Sequence, residues 1–163
     1  MKKLKLYLDT SVVSYLDQKD TPIEMKQTQD LWEILKTGKY NILLSPVVFE
    51  EIDRCTEGKK EVLYNYLSMI NYETAIATED TDTLSQYIIE KGILTEKQLL
   101  DTYHIAFAIE NGCDIILSWN FAHIVNIETI NGIRKITFDT QYNKIIDIYA
   151  PYVLLNKEVD NNG

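Results

Sequence analysis

Four polar residues stand where an α/β chain could turn them to chemistry. Asp9 follows the apolar run at residues 4–8, and Glu51 (or its neighbour Glu50) lies in VVFEEIDRC. Asp101 opens a helical stretch, and Asn120, beside Trp119, comes just after the run IIL. In a parallel sheet, groups at strand ends converge even when they are far apart in sequence. Two or three carboxylates brought within about 4–6 Å repel by roughly 1–4 kcal/mol per pair, and a fold keeps such a cluster when a cation neutralises it. Oxygen ligands without Cys or paired His select Mg2+ or Mn2+ over zinc. The chemistry implied is metal-assisted hydrolysis of a phosphodiester: the metal turns water into a nucleophile and stabilises charge on the leaving oxygen.

The elements that must position these residues follow from periodicity. Residues 4–8 form a first strand ending at Asp9-Thr10-Ser11, where Thr10 or Ser11 is a competent N-cap for a short helix carrying Val12, Val13, Tyr15 and Leu16. An amphipathic helix over 24–36 turns Met25, Leu31, Trp32, Ile34 and Leu35 inward. YNILL is the second strand, and Ser45-Pro46 caps the helix that carries Glu50 and Glu51. Helices follow over 59–71, with Val62, Leu63, Tyr66, Leu67 and Ile70 as its stripe, and over 79–91, with a short strand at 72–77 between them. The stretch 99–126, LLDTYHIAFAIENGCDIILSWNFAHIVN, organises the whole: a helix, Gly112 as its left-handed stop, and a strand apolar enough to be covered on both faces. Beyond it come a helix over 128–142, weakened by Gly132, and an edge strand over 144–149. Strands alternating with helices imply a three-layer α/β/α sandwich with a mainly parallel central sheet. It is read as one domain over 1–155, with a polar, disordered tail over 156–163.

Composition sets bounds. The net charge of −9 argues against broad, non-specific nucleic-acid binding, which needs a basic surface. It leaves room for an enzyme that handles nucleic acid through metal ions. No apolar run is long enough to cross a bilayer, and the basic-then-apolar start meets Asp9 too soon for a signal peptide, so a cytoplasmic address is the default. Cys55 and Cys113 are too few for a disulfide framework and read as reduced thiols. An Asp-dependent phosphatase of the haloacid-dehalogenase type needs a second Asp at position 11, which is Ser, and a nucleotide-binding first turn needs glycines that DTSVVS lacks.

YLDTSVVSYL around Asp9, the helix start SPVVFEEI, and LLDTYHIAFAIENGCDIILSWNFAHIVN together resemble the PIN domain, the fold of VapC-type toxin ribonucleases, over roughly residues 4–150. The resemblance implies a Mg2+- or Mn2+-dependent endoribonuclease. Carried across, Asp9 is the first acidic ligand, Glu51 the second by its distance from Ser45, with Glu50 as fallback, and Asp101 the third. Asn120 stands where many members have a fourth acidic residue. That change removes one negative charge and leaves an oxygen that can orient a water or an outer-shell ligand. The resemblance also implies an RNA substrate, a small antitoxin partner whose segment covers the acidic site, and a homodimer. The competing function is a binding module on the same fold without catalysis, motivated by Asn120 and the acidic net charge.

Other residues take plainer readings. Asp9 and Asp101, each taken alone, also read as helix caps. Ser11 reads as a helix cap or as a hydrogen-bonding partner of a ligand. His104, one turn after Asp101, reads as a packed and satisfied histidine or one that approaches a substrate, and Trp119 as a packing residue at the strand end. His123 has no partner at a metal-like spacing. Asp80, Asp82 and Asp114 read as turn or cap residues.

Overall fold

The structure, a computed structural model, describes residues 2–162. β1 (Lys5–Leu8) alternates so that Leu6 and Leu8 enter the core on one face of the sheet and Tyr7 the core on the other. The same split recurs in β2 (Asn41–Leu44), with Ile42 and Leu44 against Leu43, and in β4 (Ile115–Leu117), with Ile115 and Leu117 against Ile116. Strands apolar on both faces are stable only when helices cover both, and they do. On the first face lie α1 (Thr10–Ser14), α2 (Pro22–Leu35), α4 (Glu57–Leu67) and α8 (Pro151–Asn162), contributing Val12, Leu31, Trp32, Leu63 and Leu154. On the second lie α5 (Glu79–Glu90), α6 (Leu99–Glu110) and α7 (Ile127–Asp139), contributing Ile88, Phe107 and Ile133. α3 (Pro46–Asp53) sits between the layers, with Val48 and Ile52 in one core and Val47 in the other.

With β3 (Glu73–Thr74) and β5 (Asp147–Tyr149), the sheet is five-stranded in the order β3-β2-β1-β4-β5, every pairing parallel. This is the expected three-layer α/β/α fold. Tyr7 lies in register with Leu43 on one side and Ile116 on the other. The chain leaves β1 toward β2 and β3, and leaves β4 the opposite way, toward β5. The crevice above the carboxyl ends of β1 and β4 is therefore a topological switch point, the place where open α/β sheets build their sites.

Several boundaries differ from the sequence reading. α4 starts at Glu57 and ends at Leu67, and Val62 is exposed rather than in its buried stripe. Gly132 does not break α7: a Cβ there would come 2.7 Å from Ile93 Cγ1, so the glycine is where the helix accepts the Ile93 side chain. The cap of α1 is Asp9, as one reading of that residue has it, rather than Thr10 or Ser11, with its side chain accepting from Val12 N at 3.2 Å. The expected disordered tail is instead the second half of α8, docked through buried Glu158, which accepts from Lys39 Nζ at 2.7 Å and from Tyr40 Oη; Gly163 lies outside the described residues. No described helix is long and apolar enough to cross a membrane.

Candidate active site

Asp9 leaves β1 directly into the switch-point crevice and is almost wholly buried. A carboxylate is kept there only if its oxygens are satisfied. Oδ1 accepts from Ser11 Oγ at 2.5 Å and from Val12 N, and Oδ2 accepts from Ser118 Oγ. Each serine oxygen accepts in turn from the turn after β4: Ser11 from Trp119 N at 2.8 Å, Ser118 from Asn120 N at 2.9 Å. The Ser11 hydroxyl, read from sequence as a helix cap, thus ties the end of β1 to the end of β4. Burial pushes the Asp9 carboxyl above its ordinary pKa, against the charge of His104 and the hydrogen bonds of Ser11, Ser118 and Val12, which lower it. Trp119 anchors the same turn, stacked on Tyr15 with ring centroids 5.6 Å apart and with Nε1 donating to Thr28 Oγ1 at 2.9 Å.

Glu51 comes from α3. With Val48 and Ile52 turned into the core, helical phase presents Glu51 to α1 and leaves Glu50 exposed. Its Oε1 accepts from Thr10 Oγ1 at 2.8 Å and lies 3.0 Å from His104 Nε2. The other ring nitrogen, Nδ1, lies 2.6 Å from Tyr7 Oη, which meets Ser45 Oγ at 2.7 Å. Ser45 heads α3 without capping it through its side chain; its hydroxyl serves this buried chain instead. Burial pushes the Glu51 carboxyl up, but the hydrogen bond and charge of His104, with Thr10 and Arg54, outweigh it and hold the group below its ordinary pKa. His104 is therefore packed and satisfied, as read from sequence, and it is also the partner of a site carboxylate.

Asp101 lies in the first turn of α6 and is half-buried. Its Oδ1 is 3.4 Å from Asn120 Nδ2 and its Oδ2 is 3.0 Å from His123 Nδ1. Sequence reasoning missed His123. The usable signal was its place three residues after Asn120, whose side-chain oxygen accepts the His123 N–H at 3.0 Å and so turns the imidazole back toward Asp101.

Of these four site residues, Asp9 is linked to Asn120 through Ser118, and Asn120 to Asp101, whereas Glu51 from α3 is linked instead to Thr10 and His104. The donors are hard oxygens, the kind that suits Mg2+ or Mn2+. Among the described residues no three His, Cys, Asp or Glu side chains are grouped as ligands of one ion. The three carboxylates are clamped separately by donors of their own chain. A cleft of about 730 Å3 lies elsewhere, between α5 and the segment after α7, lined by Asp82, Tyr87, Asp139 and Tyr142 among others and by none of the four site residues.

The five-stranded all-parallel sheet covered by helices on both faces is an α/β fold of the PIN-like kind. A solved structure with this arrangement is VapBC2 from Rickettsia felis bound to a DNA fragment from its promoter, a chain of which superposes with a TM-score of 0.57 and 14% sequence identity, covering 90% of this chain and 98% of that one. No model of a known protein family matches the chain, and no curated protein does.

Proposed function

We propose that the chain is an endoribonuclease that hydrolyses RNA phosphodiester bonds with Mg2+ or Mn2+, acting as the toxin of a type II toxin–antitoxin pair. The observation that carries this reading is the meeting of Asp9 with the Ser118–Asn120 turn at the β1/β4 switch point, with Asp101 and Glu51 delivered to the same edge from α6 and α3. Asp9, Asp101 and Glu51 are the ligands this reading assigns. They are not grouped about one point among the described residues, so they would hold the ion only by turning toward it from the contacts that they make with Ser118, His123 and His104. When bound, it supplies charge neutralisation at the phosphodiester and an activated water. The chain's own part is orientation: Ser11 and Ser118 fix Asp9, Thr10 and His104 fix Glu51, and Asn120 and His123 fix Asp101. A net charge of −9 supplies no broad basic track for RNA, so binding depends on the site itself.

The fold likeness to a chain of VapBC2, itself solved as a complex bound to DNA, supports a small antitoxin as partner. An Arg from such a partner reaching the carboxylates would match their charge and geometry. A homodimer and a cytoplasmic setting belong to the same reading. The test is cleavage of a mixed RNA substrate with Mn2+, Mg2+ or EDTA, run beside Asp101→Asn. Metal-dependent cleavage that falls by at least about a hundredfold in the variant, with the fold kept, is the expected result. Equal cleavage by parent and variant overturns it.

One observation favours a second reading, a binding module without catalysis: each site carboxylate is already engaged by its own chain, with no three-ligand group among the described residues. That reading requires no cleavage with any metal by folded protein freed of partners.

A further inference from the structure

The surroundings of position 120 account for an amide there. Asn120 Oδ1 accepts the His123 backbone N–H at 3.0 Å. A backbone N–H only donates, so this contact settles which end of the amide is oxygen and turns Nδ2 toward Asp101 Oδ1, 3.4 Å away. That separation is long for a hydrogen bond, and its weight comes from the charge on Asp101 and the fixed orientation of the amide. The second oxygen of Asp101 is 3.0 Å from His123 Nδ1. Both carboxylate oxygens are thus met by two residues that are bonded to each other. The turn is closed behind them by Ile124 N and Val125 N, which donate to Asn120 O at 3.0 and 2.9 Å. Asn120 N donates to Ser118 Oγ at 2.9 Å, and Ser118 Oγ donates to Asp9.

We propose that Asn120 is a positioning residue: with His123 it forms a clasp that holds the Asp101 carboxylate and registers it against Asp9, and what the chain requires at position 120 is an amide rather than an acid. The oxygen of Asn120 is already taken by His123 N, so it is not free to bind an ion or a water along that direction. An Asp at this position keeps the acceptor for His123 N but sets a second carboxylate oxygen against Asp101, replacing attraction with like-charge repulsion. The inference rests on the nuclease reading only for its activity readout.

The test compares the full chain with Asn120→Asp and with Asn120→Asp combined with Asp101→Asn, which exchanges donor and acceptor across the contact. Thermal unfolding in EDTA, Mn2+ binding by calorimetry, the ring-nitrogen NMR signals of His123 and RNA cleavage are measured on each. The clasp requires that Asn120→Asp lower Tm, shift the His123 ring signals, leave Mn2+ binding no tighter and cut cleavage by at least about tenfold, the scale expected when a reacting group is misplaced. It also requires that the double variant recover most of the lost Tm while staying inactive, its carboxylate having moved. Tighter Mn2+ binding and faster cleavage by Asn120→Asp at unchanged Tm would make position 120 a weakened ligand site and overturn the proposal, as would a double variant no more stable than the single one. Should Asn120→Asp not fold, Asn120→Ala removes the clasp without adding charge, and its Tm and His123 signals must move in the same way. If the parent cleaves no RNA, the nuclease reading fails and the Tm recovery still decides the clasp.

Discussion

His104 Nε2 stands 3.0 Å from Glu51 Oε1, across 53 positions of sequence, while His104 Nδ1 stands 2.6 Å from Tyr7 Oη. With Ser45 at the far end, a hydrogen-bonded chain runs from inside the sheet to a carboxylate at its edge. Tyr7 is fully buried, so its hydroxyl has no water to fall back on. Tyr7→Phe keeps the ring and strands both His104 Nδ1 and Ser45 Oγ. Leaving buried polar groups unpaired costs about 1–3 kcal/mol. Urea unfolding should show that loss as a lower midpoint at unchanged slope, with cleavage reduced less than by changing Glu51 itself. Unaltered stability would mean that the chain is not formed.

Glu50 and Glu51 are adjacent, and helical phase separates them: Glu51 faces Thr10 and His104, and Glu50 faces solvent. Glu51→Gln should therefore reduce RNA cleavage by at least about tenfold. Glu50→Gln, an exposed change away from any packed feature, should leave stability within about 0.5 kcal/mol and cleavage close to the parent's. Both must first be shown folded by circular dichroism. Equal loss from the two substitutions would count against the assignment of Glu51.

Much of this arrangement could be read locally. Each central strand is a short apolar run ending in polar residues, so Asp9 and Asn120 were legible as strand-end groups, and the phase set by Val48 and Ile52 distinguishes Glu51 from Glu50. What stayed hidden is what depends on distant pairing. The strand order rests on β1 meeting β4, tied for example by Lys5 N donating to Asp114 Oδ2 across 109 positions. Asp114 itself reads as a turn residue from its neighbours and is a cross-strand anchor in the fold. His123 reaches Asp101 across 22 positions through a turn that Asn120 shapes, a link no metal-spacing rule contains. The polar end of the chain looked unstructured because the groups that bury Glu158 lie 118 and 119 residues away.

The two thiols should behave differently. Cys113 is fully buried, and burial pushes its pKa up to about 12, whereas Cys55 is only half-buried. The thiolate is the reacting form, so Cys113 should be silent to a thiol reagent in the native protein at pH 8 and react only on unfolding. Cys55→Ser should then abolish native-state labelling. Rapid labelling of Cys55→Ser without denaturant would show that the core around Cys113 opens.

The docking of α8 should carry a pH signature. Glu158 is buried, and that burial pushes its carboxyl up, but the hydrogen bonds of Lys39 and Tyr40 and the Lys39 charge outweigh it and hold the group below its ordinary value of 4.5. A group whose pKa is lower folded than unfolded stabilises the fold above its unfolded value, and the contribution is lost as pH falls through the folded one. The Tyr40 hydroxyl is shifted the opposite way, raised by burial and by the Glu158 carboxylate, so its contribution is complete below the ordinary tyrosine pKa of about 10 and fades at higher pH. Glu158→Gln removes the charge that Lys39 pairs with at 2.7 Å. Hydrogen bonds to charged groups are worth about 1.5–3 kcal/mol; because Lys39 is half-exposed, the lower part of that range is expected at pH 7. Denaturant midpoints of parent and variant, measured from pH 7 to pH 2, should begin to converge below pH 4.5 and meet only when the pH has fallen through the lower folded pKa of Glu158. A gap that stays constant over that range would show that Glu158 holds α8 by packing rather than by its charge.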